Sequence, residues 1–376
     1  MENLQIIPIN DLQAKINNLI FNKELRIGHY RFLSRLQMLV PHLIKAASGL
    51  KMQGMDVSLT EQHESGLLFY QSDCPNFSGR SRNALFHLEA LCRIYSDGHD
   101  ERVFENLLTQ FKEIEDSLGR VDYYDGFRVH VKKIDAPKEI FDYFTERYHM
   151  ELQNLTKRLV DSQWLYFDGN TVGSPALERI IDTLQNIEWK KYKRDRKNVI
   201  NALIDSLEKI LKKGGVTEGK KGLDFNKLED GVHEFRRTVR WFSIYLISLG
   251  GLCRLSNEDN IDSSLEKYLQ FAIFKKDKRE KSTINIDANL LLILSKLIAD
   301  IGDIKDDGQL EEAMSHAMIK IGIAPEDELY EKVSKLLSSN KIDFNEIPKK
   351  VKNLVDDFLV NKKIPQQLMS SLKGQL

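Results

Sequence analysis

The stretch EDGVHEFRRTVRWFSIYLISLGG, Glu229 to Gly251, sorts its side chains onto two sides of one helix. At about 100° of turn per residue, Val232, Phe235, Val239, Phe242, Leu246 and Leu249 gather on one side, the pattern of a face packed on a core. His233, Arg236, Arg237 and Arg240 fall within an arc of about 100° on another side. Glu229 and Asp230 place negative charge at the positive end of the helix, and Gly250 and Gly251 stop it. Basic stripes on surface helices are usually neutralised by acids one turn away, but Glu234 is the only acid between His233 and Arg240. The stripe therefore reads either as a solvated face or as a receptor for an anion.

Working outward, the same helical period recurs along the chain, and alternation is nearly absent, so an all-α fold is expected. Helices are expected at 9–22, 24–48, 81–96, 101–118, 137–163, 176–213, 228–249, 262–275, 286–301, 307–321 and 326–337, with shorter pieces to the C-terminus. Pro41 is expected to kink or split the second of these, because it removes a backbone donor and crowds the preceding turn. The segment FRVHVKK reads as a loop or a short strand. YFDGNTVGSP and KKGGVTEGKKG, rich in glycine and turn formers, bracket the long helix 176–213 and serve as linkers. The expected organisation is a first helical half at 9–165, the connecting helix 176–213, a second half at 225–323 and a helical extension at 324–376.

Composition narrows the function classes. Among 376 residues, 55 Lys and Arg balance 56 Asp and Glu for a net charge of −1, so any anion site must be local. Cys74, Cys92 and Cys253 have neither disulfide nor zinc spacing. The first 22 residues lack the features of a signal peptide, and NLLLILSKLIADIG is too short and too charged at its ends to span a bilayer. A cytoplasmic protein with no membrane partner is expected. There is no phosphate-binding glycine loop and no nucleophile elbow, and no cofactor is implied. His99-Asp100 has the form of a metal-dependent phosphohydrolase dyad, but without supporting ligands it reads as a turn followed by a helix cap. EWKKYKRDRK, from Glu188 to Lys197, interleaves Trp189 and Tyr192 with cations; it is the wet side of a helix or a nucleic-acid patch, and the first reading is the expectation. FKKDKREK, Phe274 to Lys281, reads as a basic surface loop.

Two parts of the chain follow one order. After the helix of His233 comes LIADIGDIKDDGQL, where Gly302 is expected to end one helix and Asp306 or Asp307 to cap the next. In the first half GHYRFLSRL is followed by EIEDSLGRVDYYDGF, which places Arg31 and Arg35 opposite Arg236 and Arg240, with Gly28 opposite His233. VHEFRRTVRW followed by IGDIKDD resembles the conserved histidine α-helical domain (CHAD) family, whose pattern is His-x-x-Arg-x-x-x-Arg and then Leu-Gly-x-x-Arg/Asn-Asp, given twice. The match is sharpest over 228–323. The resemblance implies two similar antiparallel helical-bundle halves around a basic groove that binds inorganic polyphosphate. It carries over to His233, Arg236 and Arg240, with Arg237 extending the helix motif and Lys305-Asp306 standing at the second motif.

The chemistry fits that implication. A polyphosphate presents a line of negative charges, and arginine donates paired hydrogen bonds to phosphate oxygens while keeping its charge. Arg236 and Arg240 lie one turn apart and can follow successive phosphates. The expected site is His233, Arg236, Arg237, Arg240 and Lys305, joined by Arg31 and Arg35, with no catalysis, metal or nucleic acid assigned. His42 and Lys45 share the face of Arg31 and Arg35 beyond Pro41. The alternatives are an interaction scaffold, in which internal or partner acids meet the stripe, and a metal-dependent phosphoester hydrolase.

Overall fold

Long amphipathic segments with few prolines leave helix as the only way to satisfy the backbone while burying one apolar face. The computed structural model of the chain describes residues 7–53, 64–71, 81–168, 170–219, 221–271, 279–323, 328, 332–333, 336–337 and 346–376. Two compact units emerge: one comprises Met1–His130 and Phe141–Asp195, the other Val131–Ile140 and Arg196–Leu376.

The first unit holds α1 (Ile9–Phe21), α2 (Ile27–Gln53), α3 (Glu64–Tyr70), α4 (Ser81–Ser96), most of α5 (Glu101–Lys133) and α6 (Lys138–Asp161), and α7 (Pro175–Asn186). α2 packs against α1, α3, α4 and α7 and buries Phe32, Leu33, Leu36, Leu39, Val40 and Leu43. It continues through Pro41 without splitting; the buried neighbours on both sides of the proline offset one missing backbone bond. α5 continues through Gly119 and FRVHVKK to Lys133, which is neither strand nor loop. YFDGNTVGSP forms a two-stranded antiparallel hairpin, β1 (Tyr166–Phe167) with β2 (Val172–Gly173).

The expected helix 176–213 is two helices, α7 and α8 (Tyr192–Lys213). The cause of the break is Trp189. Its ring is buried against Phe32, Tyr95, Phe104, His29 and His99 at centroid distances of 5.4 to 6.0 Å, and its Nε1 donates to the Leu184 carbonyl at 2.9 Å. A buried indole with its N–H satisfied outweighs helix continuity.

The second unit begins within α8. A π-helical turn (Leu228–His233) feeds α9 (Glu234–Ser248), followed by β3 (Cys253–Ser256), a 3₁₀ stretch (Ser263–Phe271), β4 (Ile284–Asp287), α10 (Ala288–Lys320), α11 (Ile347–Asp356), a second π turn (Asp357–Asn361) and α12 (Ile364–Lys373). β3 and β4 pair in parallel, Cys253 opposite Ile284. α10 is one 33-residue helix that meets α9, α11 and α12, so Gly302 does not end a helix and Asp306 caps none. Gln375 closes the edge of β4: its side-chain amide accepts from Asn285 N at 2.8 Å and donates to Asn285 O at 2.9 Å. Cys92 and Cys253 are buried thiols. Cys74, residues 274–278 of the basic loop and most of the helix expected at 326–337 lie outside the described residues. None of the described helices is long and apolar enough to cross a membrane.

Two charged groups in the core of the first unit control its stability. Arg31 Nη1 donates to Asp195 Oδ2 at 2.8 Å with both side chains 1% exposed, and it also reaches the Tyr95 hydroxyl. Leaving one partner of such a pair alone costs about 3–5 kcal/mol, so Asp195→Ala is expected to lower the unfolding free energy by that amount, read as a lower urea midpoint. Glu89 is 2% exposed; burial and the nearby Glu115 push its carboxyl up to about 7, with Arg93 opposing. A raised carboxyl favours the folded state at low pH and loses that advantage as pH rises through about 7. Glu89→Gln is therefore expected to flatten the stability profile between pH 4.5 and 7 and to gain on the order of 2–3 kcal/mol at pH 8, read by denaturant titration.

Candidate functional site

The motif helix is fixed from behind: Val232, Phe235, Val239, Phe242 and Leu246 are buried, as the period requires. The π turn before it widens the backbone where Val232 enters the core and His233 leaves it. Single π turns of this kind recur at functional sites. His233 Nε2 lies 3.9 Å from Glu229 Oε1, while its buried Nδ1 has no hydrogen-bond partner among the described residues. Burial holds the imidazole below its ordinary range; Glu229 opposes this, and Lys305, Arg237 and Arg236 add to it. Three cations from α9 and α10 thus act on one histidine.

Arg236 lies on the backbone of α10. Its Nε donates to the Ile298 carbonyl at 2.9 Å, and a Cβ placed on Gly302 would stand 2.9 Å from its Nη2 and 3.0 Å from its Nε. The glycine is thus a seat for the guanidinium rather than a helix stop. The nearby acids engage other cations. Glu229 faces His233 and accepts from Gln309, Glu234 pairs with Lys213 and Arg237, and Asp306 pairs with Lys305 at 2.7 Å. Among the described residues no ion pair involves Arg236. Arg237 is exposed, its Nε 3.5 Å from Glu234 Oε2, and Arg240 is half-buried and engaged. Lys305, three residues beyond Gly302 and on its side of α10, is 8% exposed.

The first unit treats its expected residues differently. Arg31, 2% exposed, belongs to the core ion pair with Asp195, so its place is structural rather than on an exposed stripe. Arg35 is half-buried; its Nη1 contacts Met38 Sδ at 3.2 Å, and with burial it pushes His87 down to about 3. His42 is 1% exposed, a core histidine. Gly28 packs under the Trp189 ring. The guanidinium seated on a helical glycine in this unit belongs to Arg82 of α4: a Cβ on Gly119 would lie 2.9 Å from its Nη2. Arg82 Nε donates to Glu115 Oε1 at 2.7 Å and its Nη1 to Asp122 Oδ2 at 2.8 Å. Sequence reading does not single out Arg82, because α4 carries no His-x-x-Arg pattern; the signal was LGRVD, which shares its glycine with IGDIK.

The other signals resolve locally. His99 Nδ1 sits 3.2 Å from the Tyr95 carbonyl and Asp100 accepts from Arg102 N at 3.1 Å, a turn and a cap as expected. In the run 188–197, Trp189 is buried, Asp195 holds Arg31, and Arg196 donates to the carbonyls of Gln375 and Thr283; Lys191, Lys193, Arg194 and Lys197 remain exposed. No aromatic ring there is free to stack on a base except at Tyr192, which is itself engaged. Among the described residues no group of three His, Cys, Asp or Glu side chains is placed to hold a metal ion. Comparison with family models, curated proteins and solved structures returns no match.

Gly302→Ala tests the seat. A methyl group there meets the guanidinium, whose far end can swing away, while the helix gains about 0.5–1 kcal/mol from losing a glycine. Thermal unfolding is expected to be unchanged or slightly improved, while the Arg236 Nε–H signal loses its hydrogen-bonded shift in NMR; an unmoved signal would mean that the glycine is not the seat.

Proposed function

We propose that this chain is a CHAD-like binding protein for inorganic polyphosphate, with the anion held in the second unit by Arg236, His233, Arg237, Arg240 and Lys305. The observation that carries the reading is the state of Arg236: a permanently charged group held by a neutral carbonyl, in a cluster where Glu234 and Asp306 pair with other cations and Glu229 faces His233 and Gln309. A guanidinium has five donors, and one backbone carbonyl satisfies one of them. Phosphate oxygens match the rest in the paired geometry arginine favours. The nearness of Lys305, Arg237 and Arg236 to His233 supports the reading. Arg31 takes no part, because it is buried and paired. Arg35 belongs to the first unit and is not assigned to this site.

Binding isotherms with long-chain polyphosphate test this. Affinity is expected to fall steeply as salt rises, because counterions are released when phosphates meet cations. Arg236→Ala is expected to weaken binding by about 10- to 100-fold, the worth of one or two charge-assisted hydrogen bonds, with the far-UV spectrum unchanged. Binding also gains a proton: the free imidazole is held below 6.5, and phosphate beside it favours the charged ring. Affinity therefore rises as pH falls from neutrality through 6.5, and His233→Gln removes that rise. An isotherm indifferent to salt and to Arg236 would refute the assignment.

A further inference from the structure

The two units share a device. Arg82 is the second residue of the 16-residue α4 and Arg236 the third residue of the 15-residue α9. The next α-helix in each unit is 33 residues long and carries the glycine seat, Gly119 in α5 and Gly302 in α10. A Cβ on either glycine would stand 2.9 Å from the arginine Nη2. The correspondence extends to the atom held. In each unit the arginine Nε donates to the residue four before the glycine: the Glu115 carboxylate at 2.7 Å in one, the Ile298 carbonyl at 2.9 Å in the other. Three residues after the glycine, Asp122 accepts from Arg82 at 2.8 Å in the first unit, whereas the second has Lys305.

Charge decides what each device can hold. Two carboxylates on one guanidinium leave a local net charge of −1 and occupy its Nε and one Nη, so an approaching phosphate meets repulsion and fewer donors. Glu115 is 7% exposed, and Arg82 is further held over the Phe86 ring at 5.2 Å. In the second unit the carbonyl adds no charge, and the position of Asp122 is taken by Lys305, whose charge Asp306 balances at 2.7 Å, so among the described residues no carboxylate falls on Arg236 itself. We infer that α4–α5 is the counterpart of α9–α10 with its anion position filled by the chain's own Glu115 and Asp122, so that the protein has one open locus for a short phosphate chain, in the second unit, and one self-neutralised locus in the first. This rests on the phosphate-binding reading above, and it replaces α2 by α4 as the partner of the motif helix.

Calorimetric titration with tripolyphosphate tests it. The unaltered chain is expected to bind one equivalent, and Arg82→Ala to leave the affinity within about twofold, since a neutralised guanidinium adds little. Arg236→Ala is expected to weaken binding by about 10- to 100-fold, and adding Glu115→Gln and Asp122→Lys to that variant to bring the affinity back toward that of the unaltered chain, a gain lost again on Arg82→Ala. Should the charge swap fail to fold, Asp122→Asn in the Arg236→Ala background keeps the side-chain shape and is expected to restore weaker binding. No binding by the unaltered chain would defeat the phosphate reading itself. Binding that depends on Arg236 but is not restored by the folded opened variants, or a drop of about tenfold or more on Arg82→Ala alone, overturns the inference about the first unit and leaves the phosphate reading standing.

Discussion

Arg236 rests on α10 with its Nε on the Ile298 carbonyl, and that contact sets the character of the second unit. It requires a glycine one turn further along, because any side chain at 302 would fill the space the guanidinium occupies. It requires α10 to stay helical through that glycine, at a cost of about 0.5–1 kcal/mol against alanine. It also requires α9 to be anchored on its other side, which Phe235, Val239 and Phe242 do. Each condition is a packing condition, yet together they present a charge that no carboxylate among the described residues takes up.

The first unit resolves the same chemistry in the opposite direction. Arg31 is taken into the core, where desolvating two ions is expensive and the pair with Asp195 is tolerable only because Tyr95 gives a further contact. Arg82 stays nearer the surface and is closed by Glu115 and Asp122. Placing Glu115 there has its own cost, since it raises the proton affinity of the buried Glu89 beside it. The first unit thus meets Arg31 and Arg82 with acids, whereas the second meets Arg236 with a backbone carbonyl.

Sequence periodicity found α9 because its apolar face is continuous and its ends carry charge and glycine signals. The same glycine signal misled at Gly119 and Gly302, where a helix-breaking residue is kept inside a helix because an arginine from another helix covers it. Pattern alone could not see this, since the covering residue lies 37 positions away in one unit and 66 in the other. Arg31 escaped for a related reason. Its spacing with Arg35 looks like an exposed stripe, but the stripe's direction depends on Asp195, which is 164 residues distant. Trp189 broke the helix expected at 176–213 because burying an indole is worth more than one continuous turn. The common face of Arg236 and Arg237 was legible because the helical period is local, whereas the approach of Lys305 to His233 depends on how α9 and α10 pack.

Net charge and local charge answer different questions in this chain. At −1 overall, the far field gives anions no attraction, and at physiological salt it decays within about 8 Å. Glu229, Glu234 and Asp306 damp it further, because they stand among the cations they pair with. Electrostatic steering is therefore weak, and capture depends on contacts made at hydrogen-bond distance. For such a surface, selectivity follows from geometry more than from charge. On the proposed reading, a ligand offers paired oxygens to the guanidinium of Arg236 and an acceptor to the imidazole of His233. A phosphate chain carries such oxygens on one backbone, whereas a carboxylate-bearing peptide must order its own side chains to present them, and that loss of freedom would weigh against the peptide.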